Sequence, residues 1–380
     1  MSKIWAGIVR YLRGTDLMLI FLCLIASGVS VALLYSISNS NLGVLLDIGR
    51  RQYIVQALAT GMGVIAAIII SLIDYHFIAK MWKLYVPVAL ILVILTYFIG
   101  IQVDETIDDK AWLRLPFGLT LQPSELMKIA FILSFALHLY KVGEEISRPT
   151  NVGLLCLHAV APLLLVRFQG DDGTLCVFFM IFLVMIFAAG LDWRYVAGGL
   201  GAAALALPLV WQYALSEDQR SRFLSVYFSE YADPLGNDYQ QRLSRISIGS
   251  GQTFGKGLFQ EEYWYVPKAY NDFIFSFIGQ ALGFVGSMLI ICLICAICVR
   301  AWRTAYTAVD PLGRYICIGV FAMIFFQSFL NIGMCLSLLP VIGITLPFFS
   351  AGGTSVAITY LGIGLVLSVY THSKKTLFYD

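Results

Sequence analysis

Charged residues are scarce in this chain, and their scarcity excludes most classes of soluble protein. Only 13% of the 380 residues are Asp, Glu, Lys or Arg, and 59% are apolar, against roughly 45–50% apolar residues in an average soluble domain. The formal net charge is only +2, which leaves no basic excess for binding nucleic acid. The composition therefore indicates a membrane protein whose function depends on a few polar groups.

The sequence also lacks the pattern of a disulfide framework. All eight cysteines lie within or at the ends of apolar runs, and none lies in the longest polar segment. Cys292, Cys295 and Cys298 follow an i, i+3 spacing that could imitate a metal site. Small side chains packing between helices explain this spacing more simply, so we expect no metal site there.

Long apolar runs predict ten membrane-spanning helices. A helix needs about 20 apolar residues to cross the hydrocarbon layer, and ten runs are long enough. They are residues 17–37, 53–73, 84–101, 123–140, 152–168, 174–190, 196–215, 272–299, 314–336 and 354–371. The predicted fold class is an all-α polytopic membrane protein, with residues 1–380 forming one domain.

The distribution of Lys and Arg predicts the orientation of these helices. Basic residues such as Lys80, Lys83 and Arg194 concentrate in the segments that would lie on the same side of the membrane as the N-terminus. This distribution favours cytoplasmic positions for both chain ends. The large loop 216–271, between helices seven and eight, is then extracytoplasmic. The loops 102–122 and 337–353 lie on the same side, so we expect function to face outward.

Two opposite charges occur at the start of the fourth apolar run. Glu125 and Lys128 are three residues apart and therefore share one helix face. An ionisable residue at the centre of a spanning helix costs at least ~2.5–3.5 kcal/mol, so it normally faces a partner or a cavity. The pair could be a structural ion pair, or it could form the wall of an outward cavity in which Lys128 binds a phosphate.

Carboxylates also occur in two segments at the outer boundary of the apolar runs. Asp171 and Asp172 are adjacent and point in different directions, which favours helix capping over a catalytic pair. Asp272 immediately precedes an apolar run. It could cap that helix, or it could act as a general base, because partial desolvation makes a carboxylate a stronger base.

The last outer loop has a composition that no straight helix tolerates. Residues 340–353 contain two prolines and three glycines. Irregular backbone at membrane depth is tolerated only within protein or beside a cavity, and the paired Gly352 and Gly353 would let backbone N–H groups approach an anion. We predict that this loop lines the same site as the outer charges.

Several motifs, taken in chain order, resemble the SEDS family, the shape, elongation, division and sporulation proteins, over residues 15 to 375. The motifs are Gln122-Pro123-Ser124-Glu125 with Lys128, Asp233-Pro234-Leu235-Gly236 with Tyr239-Gln240, Ile248-Gly249-Ser250-Gly251, Gly255-Lys256-Gly257, Asp272-Phe273-Ile274-Phe275 with Leu282-Gly283, and the segment from Pro340 to Ser355. The short ends and the final Tyr370-Thr371-His372-Ser373-Lys374-Lys375 are more similar to the elongation branch (RodA) than to the division branch (FtsW).

The resemblance implies an enzyme and the residues of its site. Such an enzyme polymerises lipid II into peptidoglycan glycan strands, inverts the anomeric centre and releases undecaprenyl diphosphate. Asp272 is implied as the essential carboxylate. The expected substrate-binding residues are the cations Lys128, Arg114, Lys110 and Lys256 for the diphosphate, together with Glu125, Gln240, Ser350, Gly352 and Gly353. No cofactor is required by the pattern, although the resemblance leaves Mg²⁺ or Mn²⁺ open.

The resemblance also implies a location and a partner. The chain would lie in the cytoplasmic (inner) membrane and act with a class B penicillin-binding protein in an elongation complex, because it contains no transpeptidase motif of its own. Departures from the family pattern occur at Ala111, Lys268, Tyr270, Asn271, Gln280, Ala281 and Ala351. These departures keep an inactive scaffold as an alternative, and a lipid II flippase or transporter and a division-type paralogue are two further alternatives.

Overall fold

The computed structural model describes residues 11–101, 111–114, 120–231 and 238–376. Fourteen α-helices and two short strands occur in this part of the chain. The helices are α1 (Leu17–Ser38), α2 (Asn41–Leu45), α3 (Arg51–Leu72), α4 (Tyr75–Lys80), α5 (Trp82–Ile99), α6 (Pro123–Val142), α7 (Pro149–Gln169), α8 (Asp172–Ala188), α9 (Trp193–Leu209), α10 (Glu217–Tyr227), α11 (Tyr239–Ser250), α12 (Ile274–Tyr306), α13 (Pro311–Cys335) and α14 (Gly353–Thr376); the strands are β1 (Leu113–Arg114) and β2 (Thr120–Leu121).

Ten of these helices correspond to the ten predicted spans. Nine of them, among the described residues, are at least 18 residues long and apolar enough to cross a membrane, if the helical turn that continues α9 to Tyr213 is counted with it. The tenth, α8, has 17 residues and would be about 26 Å long at 1.5 Å per residue. The all-α polytopic fold class is therefore confirmed.

Helix starts follow from local sequence. Proline occupies the first turn of α6, α7 and α13, where its missing N–H costs nothing. The Asp171 carboxylate accepts a hydrogen bond from the Thr174 N–H at 2.8 Å and so caps α8. The expected capping role of Asp171 is confirmed.

The core of the bundle is formed by α6, α13 and α14, which are mostly buried, whereas α9 contains no buried residue. Small residues let α3 and α14 approach closely. A Cβ added to Gly364 would lie 2.8 Å from the Cα of Ala67, and one added to Gly63 would lie 2.9 Å from the Tyr360 ring. Close approach of this kind is typical of packing between membrane helices.

The long helix α12 is broken at Gly283, where the backbone has φ 67° and ψ −167°. Segment 251–257 fills the break. The N–H groups of Lys256 and Gly257 donate to the carbonyls of Gln280 and Ala281, each at 2.9 Å. Beyond the break, the N–H groups of Phe284 and Val285 donate back to Gln252 and Thr253, at 2.8 and 3.0 Å. The backbone groups freed by the break are therefore paired within protein, as membrane depth requires.

This arrangement refines the predicted outer loop 216–271. The described part of that loop contains α10, α11 and the segment 251–257 that packs into α12. Glycines permit the contact, because a Cβ added to Gly251 would lie 2.0 Å from the Gly279 carbonyl oxygen. The segment thus helps to fix the short half-helix that follows Asp272.

We expect Gly283→Ala to destabilise the fold by at least about 2 kcal/mol, since a non-glycine residue at this positive φ is strained. The added Cβ would also lie 2.2 Å from the Gly255 nitrogen, which is backbone and cannot rotate away. Thermal unfolding in detergent measures the effect. Gly249→Ala is the matched control, because nothing lies within 4 Å of its added Cβ. Equal midpoints for the two variants would contradict the account of the broken helix.

Candidate functional site

Asp272 lies in a tight turn at the start of α12 and is 8% exposed. The Lys268 carbonyl accepts hydrogen bonds from the N–H groups of Asn271 and Phe273, at 2.9 and 3.1 Å. Phe273 is the N-cap residue of α12, and its own side chain makes no capping hydrogen bond. One carboxylate oxygen lies beside Gly343, 4.0 Å from where a Cβ on that residue would be.

The turn that carries Asp272 is locked to the loop formed by residues 336–352, which we call the final loop. The Ser350 hydroxyl donates to the Asn271 carbonyl at 2.7 Å, and the Ala351 N–H donates to the Tyr270 carbonyl at 2.8 Å. Ser350 also accepts a hydrogen bond from the Leu346 N–H at 2.7 Å. Ser350, predicted as a substrate-binding residue, therefore fixes the backbone next to Asp272 through the Asn271 carbonyl.

Two polar side chains, one from α1 and one from α3, form hydrogen bonds with the backbone of the final loop. The Ser30 hydroxyl donates to the Phe349 carbonyl at 2.7 Å. The Gln56 amide donates to the Ser350 carbonyl at 3.1 Å and accepts from the Gly352 N–H at 3.3 Å. The Gly352 N–H is thus occupied, so the expected presentation of this amide to an anion is not seen.

Glu125 and Lys128 form the predicted ion pair, with 2.7 Å between Oε1 and Nζ. The Lys128 ammonium also donates to Gln327 Oε1 at 3.1 Å. Lys128 is 0% exposed and Glu125 is 5% exposed, so the pair is buried and is not the open wall of a cavity. A buried lysine is stable in this position because two acceptors compensate its desolvation.

Gln327 and Asn331 connect the buried pair to the Asp272 turn. The two residues are one helical turn apart on α13 and therefore lie on the same face. Asn331 Nδ2 donates to the Asp272 carbonyl at 2.7 Å and to the Ile344 carbonyl at 2.6 Å. Gln327 Nε2 donates to the Thr345 hydroxyl at 3.3 Å. The adjacent residues Ile344 and Thr345 of the final loop are thus linked through Asn331 to the Asp272 backbone and through Gln327 to the buried ion pair.

Asp171 adds a second carboxylate on the same side of the protein. Its Oδ2 accepts a hydrogen bond from the Gln122 amide at 2.8 Å. Burial raises the pKa of Asp171, although the Thr174 N–H and the Lys128 ammonium act in the opposite direction. Gly173 faces the final loop closely, with 2.5 Å between its added Cβ and the Ile342 carbonyl oxygen.

Two of the other predicted cations lie at the surface. Arg114 is exposed on β1, which pairs with β2, and β2 is joined to the start of α14 by the Thr354 hydroxyl, which donates to the Thr120 carbonyl at 2.7 Å. Lys256 is exposed, with its ammonium 5.8 Å from the centroid of the Trp264 ring. Lys110 lies outside the described residues.

Gln240 and Gly353 are also predicted to bind substrate. Gln240 is half-buried, whereas the adjacent Gln241 is 1% exposed and donates to the carbonyls of Met334 and Leu339 at 3.0 and 2.7 Å. Gln241 is therefore the residue that attaches α11 to the final loop. Gly353 is the first residue of α14 and packs near Val55, 3.4 Å from its added Cβ.

Sequence reasoning missed Gln56, Gln327, Asn331 and Gln241. The first three are carboxamides inside apolar runs, where an unpaired polar group is expensive, and this was the available signal. Gln327 and Asn331 also have the i, i+4 spacing of one helix face. Their partners are backbone carbonyls distant in sequence, which no local pattern could have supplied.

The described residues do not fit a bound Mg²⁺ or Mn²⁺. Within the described residues, no group of three or more His, Cys, Asp or Glu side chains could hold a metal ion. Glu125 is already paired with a lysine, and Asp171 accepts hydrogen bonds from Gln122 and Thr174.

The fold and the site define a class: a polytopic helical membrane protein whose buried polar groups converge on one irregular loop at one end of the bundle. A family model described as "Cell cycle protein" and named for FtsW, RodA and SpoVE matches residues 16–375. The chain belongs to this family, and the resemblance found in the sequence is confirmed.

Relatives from several bacteria are similar over most of their length. A protein of Geobacter metallireducens named "Probable peptidoglycan glycosyltransferase FtsW" is 31% identical, with 95% of this chain and 96% of the relative covered. "Peptidoglycan glycosyltransferase MrdB" of Escherichia coli K12 is 30% identical, with coverage of 86% and 87%. "Stage V sporulation protein E" of Bacillus subtilis is 31% identical, with coverage of 94% and 98%.

Solved structures have the same fold. One, described as "Structural coordination of polymerization and crosslinking by a peptidoglycan synthase complex", has a TM-score of 0.80 and 27% identity, with coverage of 96% of this chain and 99% of the other. The rod shape determining protein RodA of Thermus thermophilus has a TM-score of 0.68 and 25% identity, with coverage of 96% and 98%.

Proposed function

We propose that this protein is an inverting glycosyltransferase that polymerises lipid II, the undecaprenyl-diphosphate-linked disaccharide peptide, into peptidoglycan glycan strands. Relatives along nearly the whole chain are named peptidoglycan glycosyltransferases. The observation that carries the proposal is the position of Asp272, a nearly buried carboxylate whose backbone is fixed by Asn331 and by the final loop.

Asp272 is the general base of the proposed reaction. The acceptor sugar hydroxyl attacks the anomeric carbon of the donor, and Asp272 takes the hydroxyl proton as the new C–O bond forms. The bond from the anomeric carbon to the diphosphate oxygen breaks on the opposite face, which inverts the configuration. One carboxylate suffices, because a diphosphate leaves as an anion and needs charge stabilisation more than protonation.

Lys128 is the proposed partner of the leaving diphosphate. An ammonium has three N–H donors, and Glu125 and Gln327 use two of them. The third can donate to a phosphate oxygen when substrate opens the site. Glu125 then positions the ammonium and keeps it charged. The exposed Arg114 and Lys256 stay predicted secondary contacts for the polar headgroup, as do Lys110, Gln240 and Gly353.

The products test the proposed reaction. Purified protein given labelled lipid II should yield a glycan polymer with β-configured new linkages and free undecaprenyl diphosphate, measured by gel electrophoresis, nuclear magnetic resonance and mass spectrometry. Polymer with retained α linkages would exclude a direct displacement by a single base. Complete absence of polymer, with the fold verified by thermal unfolding, would overturn the proposed function.

A class B penicillin-binding protein is the proposed partner. The matching peptidoglycan synthase complex concerns polymerisation and crosslinking together, and a second protein would supply the crosslinking step. We propose action during cell elongation because the segment Tyr370-Thr371-His372-Ser373-Lys374-Lys375 resembles the elongation branch. Because the relatives include FtsW, MrdB and a sporulation protein, replacement of each gene in a common host would test whether shape or division is restored.

The proposed location is the cytoplasmic membrane, with the Asp272 site facing the extracytoplasmic side. The concentration of Lys and Arg in loops at the other end of the bundle supports this orientation. Labelling of a cysteine introduced at the exposed Glu262 by an impermeant reagent added outside intact cells tests it. Labelling only after the membrane is opened would contradict the orientation.

We expect Asn331→Leu to lower the polymerisation rate by roughly 10- to 100-fold, because displacement of catalytic groups by about 1 Å costs this much. The change removes two donors and leaves the carbonyls of Asp272 and Ile344 without this partner, which costs about 1–3 kcal/mol. Ser328→Ala is the control, since this buried residue of α13 only donates to the Ile324 carbonyl of its own helix. A normal rate for Asn331→Leu would show that this contact does not position Asp272.

A further inference from the structure

A cavity of about 300 Å³ lies at the end of the bundle opposite to Asp272. It opens between the last turns of α8 and α12 and the first turn of α13. Its lining includes Phe187, Ala188, Trp302, Ala305, Tyr306 and Arg314. None of these residues takes part in the proposed reaction, so the cavity needs an explanation of its own.

The lining of this cavity combines an apolar interior with one positive charge. Among the described residues, Arg314 is the only charged residue that lines it, and no carboxylate does. The arginine is exposed on the first turn of α13. By contrast, the nearby Arg300 is neutralised by Asp16, with 2.6 Å between Nη2 and Oδ2. The positive charge of Arg314 is therefore accessible at the cavity mouth, and an anion is the complementary ligand.

The aromatic residues of the cavity indicate a position at the depth of lipid headgroups. Helices α12 and α13 meet at the short turn 307–310, and Trp302 and Tyr306 lie just before it, 49% and 85% exposed. Exposed Trp and Tyr at helix ends are typical of the interface between hydrocarbon and water. Phe187 at the end of α8 is 70% exposed at the same end of the bundle.

We propose that this cavity binds an anionic phospholipid of the leaflet on that side. The Arg314 guanidinium would bind the phosphate through charge-assisted hydrogen bonds. One acyl chain would fill the apolar space between Ala188, Trp302 and Ala305. Basic pockets between membrane helices recognise anionic lipids in this way. A free phosphate ion would find one arginine and otherwise apolar walls, so the acyl chain is part of the recognition.

The test measures lipids retained by the purified protein in native mass spectrometry. Wild type incubated with equal amounts of phosphatidylglycerol and phosphatidylcholine should retain the anionic lipid preferentially. Arg314→Gln should reduce retention of phosphatidylglycerol about five-fold, the effect of one surface charge near the membrane. Ala188→Phe should reduce retention as well, because the added ring fills the cavity without changing the charge.

Two controls make the result decisive. Arg194→Gln removes an exposed arginine from the first turn of α9, outside the cavity, and should leave retention unchanged. Inorganic phosphate at the same concentration should not displace the lipid. Equal retention of both lipids by wild type, unchanged retention in both cavity variants, or equal losses in Arg194→Gln would each overturn the proposal. Because lipid retention is measured without substrate, the result does not depend on the proposed function.

Discussion

Replacing Asp272 by Asn is expected to reduce lipid II polymerisation at least about 100-fold, the usual contribution of a positioned general base. The amide has nearly the same shape as the carboxylate but cannot accept the proton of the acceptor hydroxyl. The loss should therefore appear in kcat, with little change in the amount of lipid II bound. Initial rates with labelled lipid II, at several concentrations, separate the two quantities.

Asp238→Asn is the matched control for this experiment. Asp238 is the N-cap residue of α11 and is also 8% exposed. Its carboxylate lies 3.8 Å from the Arg245 guanidinium. It has no role in the proposed mechanism, so the variant should polymerise lipid II at a rate close to that of wild type. Comparable losses in both variants would mean that the effect of Asp272→Asn is structural.

Lys128→Met is expected to destabilise the protein by about 3–5 kcal/mol, because it leaves a buried carboxylate without its positive partner. Glu125 is 5% exposed and cannot recover this energy from water. Its ion-pair partner in the structure is Lys128. The thermal unfolding midpoint in detergent should fall clearly, and polymerisation should be lost.

A double variant separates the structural role of this pair from its role with substrate. Glu125→Leu combined with Lys128→Met removes both charges and keeps similar volumes, which is often neutral for stability. The unfolding midpoint should return toward that of wild type. Polymerisation should stay at least about 100-fold lower, as expected when one charge stabiliser of a transition state is removed. Recovery of the rate together with the midpoint would show that the pair is only structural.

The ten spans could be predicted because each is a long apolar run, and length and hydropathy suffice for that inference. The ion pair of Glu125 and Lys128 and the cap at Asp171 could also be predicted, since both are local patterns three residues apart. Helix starts at Pro123, Pro149 and Pro311 follow from the same local chemistry.

The break in α12 and the attachment of the final loop could not be predicted in the same way. Gly283 is one glycine among many, and its role depends on the approach of Gly255 and Gly251 from an earlier segment. Asn331 matters because it joins the carbonyls of Asp272 and Ile344, which are far apart in sequence. Tertiary contacts of this kind leave no periodic signal in the chain.

The most direct test of the central claim, that Asp272 carries out a glycosyl transfer, measures polymer and transport in the same proteoliposomes. Wild type should polymerise labelled lipid II supplied on the side of the Asp272 site, and Asp272→Asn should form at least about 100-fold less polymer. A wild-type protein that forms no polymer but moves lipid II across the bilayer, with equal transport by Asp272→Asn, would contradict the account.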